Sequence, residues 1–377
     1  MINEVIIHDH AGKGWLFFRQ PKHIIEAYKA KDVLPALIRT EELVNQRGLY
    51  AAGFVSYEAA PGFDPALSVS RNGDFPLVWF GIYSQPEQGR LPPPEKYSGE
   101  SYFNWRTTLA QNEYKSAIGR IKEYISNGDT YQVNFTYRLT SSFSGNPRPY
   151  FVKLMEMHDA PYGAFLDTEK WAVCSASPEL FFRFDGDNLI SRPMKGTAAR
   201  GLTGDEDTKQ MQWLYNSEKN RAENIMIVDM VRNDMGRIAQ AGSVRVSRLW
   251  DIEKYQTLWQ MTSTVEARTG VGLNEIFCAL FPAASITGAP KARTMRIIKE
   301  LETTPRRVYT GSIGFICPGR RAQFNVAIRT ILIDKAKKQA EYGTGGGIVW
   351  DSTEQSEFDE SRLKAKILET QTTSAIF

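Results

Sequence analysis

A globular chain of mixed strands and helices is what this sequence predicts, and three observations carry that expectation. The 377 residues are 42% hydrophobic and 24% charged, an ordinary balance for a soluble globular protein. Short β-like runs are closed by turn signals, as at Asp185-Gly186. Apolar residues also recur at helical spacing, as at Tyr114, Ile118, Ile121 and Ile125. The length allows either two domains or one large core.

In chain order, residues 50–57 (YAAGFVSY) and 77–83 (LVWFGIY) read as strands, with a helical pattern over 24–47. Residues 85–99 (QPEQGRLPPPEKYSG) read as an extended linker. A helix over 112–127 ends at Gly128, and 131–139 alternates like a strand. Residues 171–174, 179–184 and 189–190 continue as strands toward the stretch 191–200 (SRPMKGTAAR). There Lys195 sits between Pro193, which fixes its own φ, and the small pair Gly196-Thr197. Such a backbone can hold one amine beside a close-approaching small molecule. A solvated surface lysine is the plainer alternative.

The helix over 217–235 is apolar on every side at 225–231 except for Asp229, which predicts a buried helix. Glu223 on it then needs a partner, a metal or a proton, and a salt bridge is an equally open reading. Residues 283–291 (AASITGAPK) precede a helix over 292–301. The first-turn proline suits a helix N-terminus that seats an anion or is simply capped. Residues 324–333 and 340–347 read as a hairpin across the basic turn 335–338. The stretch 352–355 (STEQ) reads as a capping box opening a helix to about residue 370. On that helix Glu357 and Glu360 share a face, open to solvent or to Mg²⁺.

Other classes are excluded. A net charge of +3 gives no clustered basic face for nucleic acid or a membrane surface. Three cysteines without CxxC argue for reduced thiols in a cytoplasm and against a disulfide framework or zinc site. The start MINEVIIHDH lacks the pattern of a signal peptide, and no apolar stretch is long enough to span a membrane. All four histidines precede Lys195, so chemistry in the later half must use carboxylates, lysine or tyrosine. Residues 343–347 spell GTGGG rather than GxGxxG, which excludes a dinucleotide fingerprint.

Six stretches in this order resemble the chorismate-utilising enzymes: 177–182 (SPELFF), 192–197 (RPMKGT), 221–234 (RAENIMIVDMVRND), 285–291 (SITGAPK), 309–329, and 343–360 (GTGGGIVWDSTEQSEFDE). The resemblance spans roughly residues 110–370. It implies an α+β fold of two large antiparallel β-sheets packed face to face with helices outside. Residues 1–100 would be a segment integrated into that fold, adding strands to the second sheet, and 101–377 the chorismate-binding catalytic domain. Within the family, the likeness is to the component I branch that forms aminodeoxychorismate, on the para-aminobenzoate route to folate. Lys195 stands where that branch carries a nucleophilic lysine and the anthranilate-forming branch carries alanine. Gln132 stands where water-using relatives carry a basic lysine.

The resemblance further implies that Glu179 protonates the departing C4 hydroxyl and Lys195 attacks C2. Gly196, Thr197, Thr287, Gly288, Tyr309, Arg329, Gly345 and Gln132 would bind chorismate, and Glu223, Glu357 and Glu360 would hold Mg²⁺. Ammonia would come from a glutamine amidotransferase subunit. Asn220 and Gln260 depart from residues common in relatives, and no tryptophan-binding LLES-type stretch is found. An anthranilate-forming or other chorismate-converting enzyme, or a non-catalytic chorismate-binding paralogue, are the competing readings.

Overall fold

A computed structural model describes residues 2–93, 103–158 and 160–371. These residues form two ten-stranded sheets in which every strand pair is antiparallel. The first sheet is centred on the strands Gln132–Ser142, Gln339–Ile348, Thr330–Asp334 and Trp171–Ser175. The second is centred on Leu258–Arg268, Asn188–Arg192, Leu180–Asp185 and Arg321–Asn325.

The two-residue period of a strand sends neighbouring side chains to opposite faces, and here both faces are covered. Val5, Ile7, Leu16 and Phe18 of the first sheet meet Ala52, Phe54, Ile313 and Phe315 of the second in one cluster between the sheets. The intervening residues point outward. Ile6, Phe17 and Phe165 pack with the helices Gln111–Ser126, Pro147–Met157 and Lys291–Leu301. Ala51, Val55 and Ile316 pack with Val33–Arg47, Glu218–Gly236 and Leu273–Leu280. The result is the expected α+β sandwich of two antiparallel sheets with helices outside.

Three local readings are corrected. The pattern over 24–47 is a strand, His23–Ala27, followed by the helix Val33–Arg47. The run 324–333 is two strands, Arg321–Asn325 and Thr330–Asp334, which belong to different sheets. The chain crosses between the sheets at 326–329, and Arg329 takes a φ of 50° there. The helix Glu218–Gly236 is amphipathic rather than buried all round, since Ile225 and Asp229 face outward while Ile227, Val228 and Val231 are buried. Strands from the first hundred residues pair into both sheets rather than one. The linker 85–99 supplies the short strand Glu87–Gly89, and its residues 94–99 lie outside the described residues. Among the described residues no helix is long and apolar enough to cross a membrane.

Candidate active site

One cavity of about 430 Å³ lies where the ends of the two sheets meet, within the size range of small-molecule sites. Its lining gathers segments distant in sequence: Lys195 to Thr197, Glu179, Glu223, Tyr309, Arg329, Gly345, Glu357 and Glu360. Gln132, Thr287 and Gly288, expected with them, do not line it.

Lys195 owes its position to a break in strand pairing. The strand Met194–Ala199 pairs with Leu258–Arg268, and the register shifts between Met194 and Thr197. Such a bulge bends the strand and re-aims a side chain. Gly196 adopts a φ of 98°, a conformation that favours glycine, with Asn220 close against it. Gln260 holds the bulge by donating from Nε2 to the Gly196 carbonyl at 2.7 Å and accepting from Thr197 Oγ1 at 3.3 Å. Asn224 donates to the Lys195 carbonyl at 3.3 Å. The lysine amine reaches Gly347, where any side chain would run into Nζ. Gln132 also abuts Gly347; it is fully buried, and neither atom of its amide has a hydrogen-bond partner. Burial lowers the Lys195 pKa; Lys364 lowers it further, against the opposing pull of Glu223, Glu360 and Glu357.

Glu179 is 3% exposed. Burial pushes its carboxyl up to about 7, opposed by hydrogen bonds from Ser285 and the Met194 backbone and by the charges of Lys195 and Arg329. Ser285 Oγ donates to Glu179 Oε1 at 2.6 Å. Arg329 lies under the same cavity with Tyr255 against its guanidinium at 5.5 Å. It forms no ion pair among the described residues. Burial lowers its pKa.

The acidic wall belongs to two helices. Glu357 and Glu360 come from Glu354–Ala365, and Glu223 from Glu218–Gly236. Burial raises the Glu357 carboxyl, and the like charge of Glu360 raises it further. Lys364 Nζ meets Glu360 at 2.7 Å and donates to the Gly345 carbonyl at 3.0 Å. That lysine keeps the Glu360 pKa low. The helix cap is Thr353, which accepts from the Ser356 N–H, rather than Ser352. The shift frees Ser352 to donate to Glu357 Oε1 at 2.6 Å. Among the described residues no three acidic, histidine or cysteine side chains are gathered tightly enough to hold an ion by themselves. Mg²⁺ commonly uses one or two carboxylates and completes its shell with water and substrate oxygens. Mutually repelling carboxylates on one cavity wall fit that requirement.

The remaining expected residues lie outside the cavity lining. Thr287 is fully buried; its N–H and hydroxyl turn back to the Ala284 carbonyl rather than to the cavity. Gly288 pairs with Val133, and a side chain there would strike the Gln132 carbonyl. No residue of the helix Lys291–Leu301 lines the cavity, and Lys291 pairs with Asp234 at 2.8 Å. Sequence reading missed Ser285, Lys219, Trp213 and Lys364 as cavity residues. Lys364 had a signal, since it lies one turn beyond Glu360 on the same helical face.

Comparison with known proteins accords with this geometry. Aminodeoxychorismate synthase component 1 of Bacillus subtilis (strain 168) is 41% identical over 268 residues, covering 71% of this chain and 57% of that protein. Anthranilate synthase component 1 of Aquifex aeolicus (strain VF5) is 38% identical over 269 residues, covering 71% of this chain and 54% of that protein. The matches thus span little more than half the length of these curated relatives. The crystal structure of anthranilate synthase component I from Streptococcus pneumoniae TIGR4 shares the fold, with a TM-score of 0.81 at 24% identity over 97% of this chain and 92% of that one. The family model described as chorismate binding enzyme matches residues 3–370, and with the cavity lined by the stretches that define the likeness, the chain belongs to the chorismate binding enzyme family.

Proposed function

We propose that this chain converts chorismate and ammonia into 4-amino-4-deoxychorismate. The observation that carries the reading is Lys195, a half-buried lysine whose amine is aimed into the cavity with its pKa lowered by burial. A nucleophilic lysine must shed its proton easily, and a lysine that merely held a carboxylate as a point charge would gain from keeping it.

In the reaction proposed, neutral Lys195 Nζ bonds to C2 of the ring. Both ring double bonds shift around the far side of the ring, the C4–O bond breaks, and the hydroxyl leaves as water with the proton of Glu179. Ammonia then bonds to C4 as the C2–N bond breaks and frees the lysine, and the surplus proton returns to Glu179. Two such displacements, each moving both ring double bonds, put nitrogen at C4. A carboxyl with a pKa raised to about 7 can both give and take that proton near neutrality. We assign Arg329 and Tyr309 to the substrate carboxylates. The support is a guanidinium lining the cavity without an ion pair among the described residues. Glu223, Glu357 and Glu360 would hold Mg²⁺, which when bound would take up negative charge on the ring carboxylate.

We further infer that a separate glutaminase subunit supplies the ammonia. Burial raises the pKa of Cys174, Cys278 and Cys317, so none has the reactive thiolate character that glutamine hydrolysis requires. Three unpaired cysteines also suit a reducing cytoplasm.

Incubation with chorismate, Mg²⁺ and an ammonium salt, with product analysis by mass spectrometry and chromatography, tests the reading. The 4-amino product should form, and a chelator should stop it. Anthranilate as the main product would support the competing branch, and no turnover would leave only a binding protein.

A further inference from the structure

Ser285 stands in the middle of the buried turn Ala284–Ile286. The turn is fixed from several sides. Arg306 donates to the Ile286 carbonyl at 2.8 Å, and the Asn134 N–H donates to the Thr287 carbonyl at 2.8 Å. The Ser285 hydroxyl is spent on Glu179 Oε1 at 2.6 Å, with serine and carboxyl both buried and both at the cavity wall. A short hydrogen bond between two groups anchored on separate elements fixes the orientation of the flexible partner. Here that partner is the glutamate side chain.

We propose that Ser285 is a positioning residue for proton delivery, locking Glu179 so that its transferable proton rides on Oε2. The logic concerns donors and acceptors. While Oε1 accepts the serine hydrogen, it cannot also carry the proton in the same direction. The neutral carboxyl is then protonated on the other oxygen, and a single acid orientation faces the reacting bond. The hydrogen bond also favours the carboxylate and keeps the Glu179 pKa from rising further. The other groups around Glu179 are Lys195, Arg329, the Met194 N–H, and, across a small gap, Asp234, itself neutralised by Lys291. None of them replaces a hydroxyl lost from position 285.

This inference rests on the proposed role of Glu179, so its test has one arm that needs no turnover. In Ser285→Ala, infrared difference titration of the substrate-free enzyme should show the Glu179 carboxyl titrating about one pH unit higher than in the parent. The signal is assigned by its absence from Glu179→Gln. In turnover, Ser285→Ala should lose about tenfold or more in kcat, less than the roughly hundredfold or more from removing a general acid outright, with KM within about twofold. The alkaline limb of its pH profile should move upward with the infrared titration. Ser285→Thr, which restores a hydroxyl, should recover most of both. An unchanged titration in Ser285→Ala overturns the proposal whatever the reaction is. So does a lower kcat with an unmoved alkaline limb, or a loss confined to KM. If the titration moves but no 4-amino product forms in the parent, the reading of the reaction fails and the hydrogen-bond role stands.

Discussion

Two side chains set the chemistry at the scale of single residues. In the proposed reaction Glu179 must carry its proton when the C4 hydroxyl departs, and burial pushes its carboxyl up to about 7. The protonated fraction falls as pH rises through that value. The rate per unbound ammonia should therefore fall along a limb centred near pH 7, measured by initial rates across a pH series. Glu179→Gln should lose about a hundredfold or more and lack that limb; the same limb in the variant would assign it to another group. Lys195→Ala separates nucleophile from point charge. With C2 vacated, ammonia should add there and yield a 2-amino product at reduced rate. Clean 4-amino product at a near-parental rate would rule out the covalent route. That Lys195, Glu179, Glu357 and Glu360 would share one cavity was legible in the sequence, because each sits in a short distinctive string. The partners that tune them were not. Ser285 meets Glu179 across 106 positions of chain, and nothing local to either residue announces the contact.

The strand Gln339–Ile348 shows how an element's composition serves the cavity. It is paired on both sides, by Thr330–Asp334 and Gln132–Ser142. Its glycines let the Tyr309 ring, Glu357, Lys364 and Lys195 approach the backbone. The glycine run that excluded a dinucleotide site in the sequence is a close-approach surface instead. Two substitutions separate function from frame. In Gly347→Ala the new methyl meets the Lys195 amine and the Gln132 amide rather than backbone. Activity should fall tenfold or more while the unfolding midpoint changes by less than about 3 °C. In Gly288→Ala the methyl meets the Gln132 carbonyl at a backbone φ of 147°. That variant should lose about 2 kcal/mol or more of stability in denaturant unfolding. Parental activity in Gly347→Ala would remove the packing of Lys195 against this strand from the account. Most strands and helices could be read from periodicity, but the division of 324–333 could not. The run 324–333 is apolar apart from Asn325, Arg329 and Thr330, no glycine or proline marks 326–329, and the change of sheet is a tertiary event.

For the whole molecule, the decisive feature is that each sheet is buried on both faces. The period-2 pattern is therefore blurred into continuous apolar runs such as 78–83, and sequence alone cannot say which residues face the partner sheet. The first hundred residues supply strands to both sheets and complete the layer between them. The crossing at 326–329 has a consequence for motion. The cavity is walled by Met194 to Thr197 from one sheet, by 343–345 from the other, and by Ile328 and Arg329 at the seam where the chain passes over. A bound dianion would act as a rivet through that seam, taxing any breathing that parts the sheets. An occupant at a hundredfold excess over its Kd adds about 2.7 kcal/mol to the closed form. Amide hydrogen exchange should then slow together in Gln132–Ser142 and Met194–Ala199 when a non-reacting chorismate analogue is bound. Slowing confined to one strand would mean that the two sheets yield independently, and that the seam transmits nothing.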